Sequence, residues 1–173
     1  LTINWIKSWN GLGQEDWRYQ KYRKENHIIF LLLAFFGLEL MPTVLVYVAL
    51  IPVYPALVLS PRGISLLDIF GAIIAISATL IEFKADEQMR EFRRLNRNSD
   101  KVMNSGLWAY SRHPNYFGEI CFWFGLYLIG LSSNPDWWWS IFGPIAILLL
   151  FLVVSIPLME QKQVQKRPKY SHY

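Results

Sequence analysis

The feature that most constrains this chain is a set of long apolar runs. Crossing the ~30 Å hydrocarbon core of a bilayer takes roughly 20 helical residues. Residues 28–52, 64–83, 117–133 and 138–159 approach or exceed that length and carry almost no charge. Inside lipid every backbone N–H and C=O must be satisfied within the protein, which leaves helices or a closed barrel. Runs of this length and continuous apolarity predict helices. The expected fold is therefore all-α: a polytopic transmembrane bundle of about four spans, forming one membrane domain over residues 1–173. A composition that is 53% hydrophobic and only 17% charged excludes both a disordered chain and an ordinary soluble domain.

The basic residues set the expected orientation. Of seventeen Lys and Arg, sixteen lie before the first run, between the second and third, or after the fourth. Arg62 alone falls on the other side. Cytoplasmic loops carry the Lys and Arg excess, so both ends and the connector 84–116 are expected in the cytoplasm. Such a chain would sit in the endoplasmic reticulum of a eukaryote or the inner membrane of a bacterium. Basic connectors between apolar spans suit anionic lipid or a phosphorylated cofactor better than nucleic acid, which is set aside. The single cysteine, Cys121, allows no internal disulfide and is read as packing. The opening LTINWIKSWNGLG lacks the apolar core of a signal peptide. Leu1 at its head leaves open a piece of a longer protein with helices upstream.

Charge inside the runs marks candidate chemistry. Glu39 lies in the middle of the first run, close to Pro42, where a kink is expected. A carboxylate there must snorkel, bond to a neighbouring helix or face a substrate. Glu82, Asp86 and Arg93 are spaced by four and seven residues and share one helix face, joined by Arg90. That stripe is either a solvated face with local ion pairs or a binding surface. The second run also carries Gly71, Ala72, Ala75, Ser77 and Ala78, which permit close helix approach.

The most informative string is GLWAYSRHPNYFGE, residues 106–119, followed by Trp123. Pro114 ends any preceding helix, biases His113 to an extended backbone and holds Arg112 and His113 on a loop at the membrane surface. A new helix then repeats Asn115, Glu119 and Trp123 every four residues along one face. An amide beside a carboxylate, with an indole nearby, suits a polar planar group such as a carboxamide. The plainer alternative is an interfacial anchor, with Asn115 as helix cap and Glu119 in the first turn.

This string with Trp123 resembles the signature of the steroid 5-alpha-reductase-like membrane proteins, and is similar to the matching segment of the C14 sterol reductases. EDWRYQKYR, residues 15–23, and the tail SIPLMEQKQVQKRPKYSHY extend the resemblance over nearly the whole chain. The resemblance implies a helical bundle whose cytoplasmic half binds NADPH and whose membrane half admits an apolar, enone-type lipid or steroid-like substrate. Asn115 and Glu119 would contact the nicotinamide end, with Arg112, His113, Tyr116 and Trp123 in the same motif. Glu82, Asp86 and Arg93 fall at the spacing of the family's cofactor ligands, Glu82 standing where the family has Asn or an acid. Lys101 stands where the steroid enzymes have an arginine. The family's catalytic acid groups match here only to Tyr19 and Glu39.

No GxGxxG is present, so phosphates would need side-chain cations, and Arg90, Arg93, Arg94, Arg97, Lys101 and Arg112 supply them. Glu160, with Lys162, Arg167, Tyr170 and Tyr173, is read as a cofactor lid or a headgroup anchor. Trp137, Trp138 and Trp139 are read as an interfacial belt, and His27 as an interfacial residue. The rival reading is an S-adenosylmethionine-dependent membrane methyltransferase of the isoprenylcysteine or phospholipid type, whose members also resemble the RHPxYxG string. A scaffold or lipid-binding protein is the non-enzymatic alternative. The charge asymmetry makes one prediction. A cysteine placed at Ser99 should be labelled from the cytoplasm and one at Ser60 from the opposite side, and labelling of both from one side would remove the four-span topology.

Overall fold

The computed structural model describes residues 17–25, 29–59, 63–96, 101–167 and 170. The expectations for Lys7, His27, Ser60, Arg62, Arg97, Ser99 and Tyr173 lie outside them. Among the described residues the fold is all-helical. Helix α1 is Trp17–Glu25, α2 is Phe30–Leu59, α3 is Leu66–Leu95, α4 is Pro114–Ser133 and α5 is Pro135–Lys166. A short 3₁₀ turn, Gly106–Ala109, precedes α4. The described residues divide into two compact units between Val48 and Ala49.

Helices α2, α3 and α5 are each long and apolar enough to cross a membrane, which makes this a multi-pass membrane protein. The remaining expected span forms as α4, 20 residues long. Its Asn115, Glu119, glycines and aromatic residues dilute its apolarity below that of the other three. Large apolar side chains stay exposed on the three long helices, such as Leu57 at 79%, Leu66 at 85% and Val153 at 68%, as lipid-facing surfaces require.

Prolines shape the long helices. Proline lacks an N–H and clashes with the carbonyl four residues back, and a local π-helical widening relieves both problems. Helix α2 is π-helical over Leu33–Leu40, just before Pro42, and again over Pro55–Leu59. Helix α5 is π-helical over Leu150–Ser155, just before Pro157. The expected disturbance near Glu39 is thus a widened turn. There the Thr43 hydroxyl donates to the Glu39 carbonyl at 2.7 Å. In this first unit Tyr19 on α1 donates a hydrogen bond to the Glu39 carboxylate.

In the second unit α3 and α4 pack along most of their length, backbone against backbone. A Cβ built on Gly125 would lie 2.8 Å from both the Ala75 nitrogen and the Gly71 carbonyl oxygen. One on Gly118 would lie 2.8 Å from the Ala78 carbonyl oxygen and 2.9 Å from the Glu82 nitrogen. Gly130 presses in the same way on the backbone of Pro52. At its start α3 is closed by a capping box, Ser65 with Asp68, and the Ser65 hydroxyl also meets that of Ser132 on α4 at 2.5 Å.

This contact predicts the effect of adding volume. Gly125→Val should destabilise the protein by about 1–3 kcal/mol, as overpacking of a tight core does. Gly37→Ala, inside α2 where a Cβ meets nothing within 4 Å, should leave the melting temperature unchanged or slightly raised. Equal melting of both variants in detergent would show that the α3–α4 contact is looser than described.

Candidate functional site

The loop before α4 is fixed from below. Gly106 adopts φ +62, and a Cβ there would lie 2.5 Å from the Gln88 side-chain nitrogen. The next N–H, of Leu107, donates to Gln88 Oε1 at 3.0 Å. Buried Trp108 donates its indole N–H to the Ala85 carbonyl on α3 at 3.0 Å and packs with Ala85 and Met103. The string GLWAYSRHP is therefore tied to the end of α3 that carries the acidic and basic stripe.

His113 is the N-cap residue of α4, with φ −141 and ψ 57, and Pro114 opens the helix. Asn115 is therefore inside the helix and does not cap it, which disfavours the anchor reading. Asn115, Glu119 and Trp123 follow along one face. Two atoms of that face are buried without a hydrogen-bond partner: Asn115 Oδ1 and Trp123 Nε1. The Glu119 carboxylate lies one turn from each and interacts with the Trp123 indole N–H, although without the geometry of a full hydrogen bond. Gly118 lets α4 close on the Glu82 turn of α3, and Glu119 feels the charges of both Glu82 and Asp86. Three carboxylates and an amide thus converge from two helices.

The cations divide into groups. Arg93 lies within electrostatic reach of Asp86, Tyr116 and Arg167. Arg94 pairs with Glu91 at 3.1 Å on an exposed face, and Lys84 with Glu87 at 3.9 Å, two solvated pairs made by residues outside the stripe. Arg112 and His113 both turn to Glu160 on α5, each at 3.4 Å from the same oxygen. The Arg112 guanidinium also lies over the Tyr170 ring, 5.4 Å from its centroid. His113 stacks on Tyr116 at 5.2 Å, and Tyr116 meets Phe151 of α5 at 4.6 Å. Arg90 is half-buried on α3 and Lys101 is exposed on the connector. Tyr19 and Glu39 belong to the first unit, where they bond to each other.

The fold thus brings together Glu82, Asp86, Arg93, Tyr116, Glu119 and, on the same face of α4, Asn115 and Trp123. The sequence reading missed the role of one residue and left that of another undistinguished within the tail. Trp108 is a structural strut. Arg167, at the end of α5, holds a buried Nε with no partner. Nothing in the basic tail distinguishes Arg167 from its lysine neighbours, and the fold adds its buried Nε and its electrostatic interaction with Arg93. Among the described residues no group of His, Cys, Asp and Glu could hold a metal ion.

Residues 1–173 match the family model described as "Protein of unknown function (DUF1295)". The chain belongs to the DUF1295 family. It is also similar to an uncharacterised protein of Schizosaccharomyces pombe, 26% identical over 195 residues that cover 100% of this chain. This DUF1295 chain spans 56% of that relative's length, just over half. No solved structure matches it.

Burial pushes the His113 imidazole below its ordinary value, and Arg112 adds to this; together they outweigh the opposing hydrogen bond and charge of Glu160. A histidine lowered in the folded state stays neutral while the unfolded chain takes up a proton. Its contribution to stability is present above ~6.5 and is lost as pH falls through the lower folded value. The melting temperature should therefore drop on acidification across the histidine range, and His113→Gln should flatten that part of the profile. An identical profile in the variant would assign the acid sensitivity to other groups.

Proposed function

We propose that this protein is an NADPH-dependent membrane reductase acting on a carbon–carbon double bond of a lipid or steroid-like enone. In this reading it is a steroid 5-alpha-reductase-like protein whose four spans place both ends of the chain in the cytoplasm. The observation that carries the proposal is the buried Asn115 Oδ1, which has no partner, on one helix face with Glu119 and the Trp123 indole. An unsatisfied buried polar atom costs about 1–3 kcal/mol. A primary carboxamide offers an N–H₂ donor to Asn115 Oδ1 and a carbonyl acceptor to the Trp123 N–H, so these residues fit the nicotinamide end of the cofactor.

When bound, NADPH would supply a hydride. Asn115, Glu119 and Trp123 would hold the carboxamide so that the ring meets the substrate in one orientation. Arg93 would bind phosphate, with Asp86 beside it to fix its direction. The apolar surfaces of the long helices give a lipid substrate lateral access and exclude water from the reacting bond. Hydride addition to the β-carbon of an enone needs a proton donor toward the carbonyl oxygen. The sequence resemblance matches that role loosely to Tyr19 or Glu39, which bond to each other within the first unit.

A second reading, an S-adenosylmethionine-dependent methyltransferase, is favoured by one observation. Glu82, Asp86 and Glu119 form an anionic cluster that would attract a sulfonium cation. Titration of the purified protein with NADPH and with S-adenosylmethionine, read by tryptophan fluorescence, separates the two. The proposal expects NADPH to bind. Asn115→Leu and Glu119→Leu should leave the empty protein as stable or more stable, since each removes a costly buried polar group. Both should lower turnover by on the order of 10²-fold, the cost of misplacing a reactive group. Variants that fold and reduce substrate at the parent rate would move the site elsewhere.

A further inference from the structure

The C-terminal end of α5 is bonded to the loop that opens α4. One carboxylate oxygen of Glu160 lies 3.4 Å from Arg112 Nη1 and 3.4 Å from His113 Nε2. The Arg112 guanidinium also lies over the buried Tyr170 ring, 5.4 Å from its centroid. The Tyr170 N–H donates to the Arg167 carbonyl at 2.9 Å, so that ring is carried by the segment that ends α5. In the empty protein, therefore, a guanidinium and an imidazole N–H of the loop are both given to one acid of the tail.

The contact is of a kind that a ligand can break. Charge-assisted N–H···O bonds normally close to about 2.7–2.9 Å. Both bonds here are longer, and a single oxygen serves both donors. The Glu160 side chain keeps 33% of its surface open to solvent and that of Arg112 37%, so water screens the pair and it holds weakly. A phosphate group offers more charge and several acceptor oxygens, and can give one oxygen to the planar guanidinium fork and another to the imidazole N–H. It suits the same two donors better than Glu160 does. It reaches them only when Glu160 has left.

We propose that Glu160 is an internal competitor: it occupies Arg112 and His113 in the empty protein, and a phosphate group that takes these two residues displaces it and frees the C-terminal end of α5. The phosphate is that of the dinucleotide or that of an anionic lipid headgroup. The dinucleotide source rests on the reductase reading, whereas the competition stands without it. A carboxylate that merely oriented Arg112 and His113 for the ligand would act with the opposite sign. Its loss would weaken binding, whereas loss of a competitor strengthens it.

The test uses the full chain in nanodiscs. NADPH is titrated in phosphatidylcholine discs, and retention of phosphatidate is measured in mixed discs, for the parent, Glu160→Gln and Glu160→Ala. A partly exposed ion pair closes the junction only weakly, so removing its acid should tighten phosphate binding roughly two- to fivefold. In the parent, saturation with the bound ligand should speed amide exchange over residues 160–167, a readout that needs no variant to fold. Weaker binding in the variants, or exchange in the parent that stays equal or slows, would overturn the competition. Tighter phosphatidate binding in the variants, with NADPH bound by none of the three proteins, would keep the competition and sink the dinucleotide reading. NADPH binding indifferent to Glu160, with phosphatidate retention equally indifferent, would overturn the competition and leave the reductase reading standing. Three proteins that bind neither ligand overturn both.

Discussion

The contact on which the site depends is the approach of α3 and α4 with no side chain between their backbones. Lipid tails are as apolar as leucine, so helices in a membrane associate through close packing rather than through escape from water. Gly71, Ala75 and Ala78 on one helix, and Gly118 and Gly125 on the other, supply that packing. Because Gly118 rests on the Glu82 turn, the same contact brings the acidic stripe of α3 against the Asn115–Glu119–Trp123 face of α4. Like charges are thereby forced together at a place where separation would be cheaper. A fold accepts that only if the packing stabilises more than the repulsion costs, or if a ligand relieves it.

The connector between these helices is fixed by the same economy. Gly106, Leu107 and Trp108 spend their turn geometry and hydrogen bonds on Gln88 and Ala85, so that Arg112 and His113 emerge at a set position above α4. Glu160 then takes both of them. The charges that looked alike in the sequence therefore separate by partner. Arg112 is committed to the tail and Arg94 to a solvated pair, while Arg93 stays with Asp86 and Arg167.

Much of the fold was legible because the bilayer allows few answers. The three most apolar runs became α2, α3 and α5, and the small residues of the second run did mark the central packing face. The boundaries were less legible. Helix α3 continues well past its apolar part, since Lys84 to Leu95 keep a helical pattern with no proline or glycine to stop them. Pro42 in α2 was expected to kink the helix, and the chain instead widens into a π turn there, as it also does before Pro157 in α5, a choice that depends on neighbouring packing. In the site, the four-residue spacing placed Asn115, Glu119 and Trp123 correctly on one face, because helical periodicity is a local property. The pairing of Glu160 with Arg112 and His113, across 48 and 47 residues, has no local signal. Neither does the selection of Arg167 from a basic tail.

The unsatisfied atoms show how the fold and the site constrain one another. Arg167 Nε, Asn115 Oδ1 and Trp123 Nε1 are buried without partners in the empty protein. A structural polar face in an apolar setting is normally completed by a second side chain, since each open atom weakens the fold by about 1–3 kcal/mol. On the same face Glu119 meets the charges of Glu82 and Asp86 and the Trp123 indole, while Arg93 meets those of Asp86 and Arg167. The polar face of α4 therefore weakens the fold, and the glycine-mediated packing of α3 on α4 has to offset that cost.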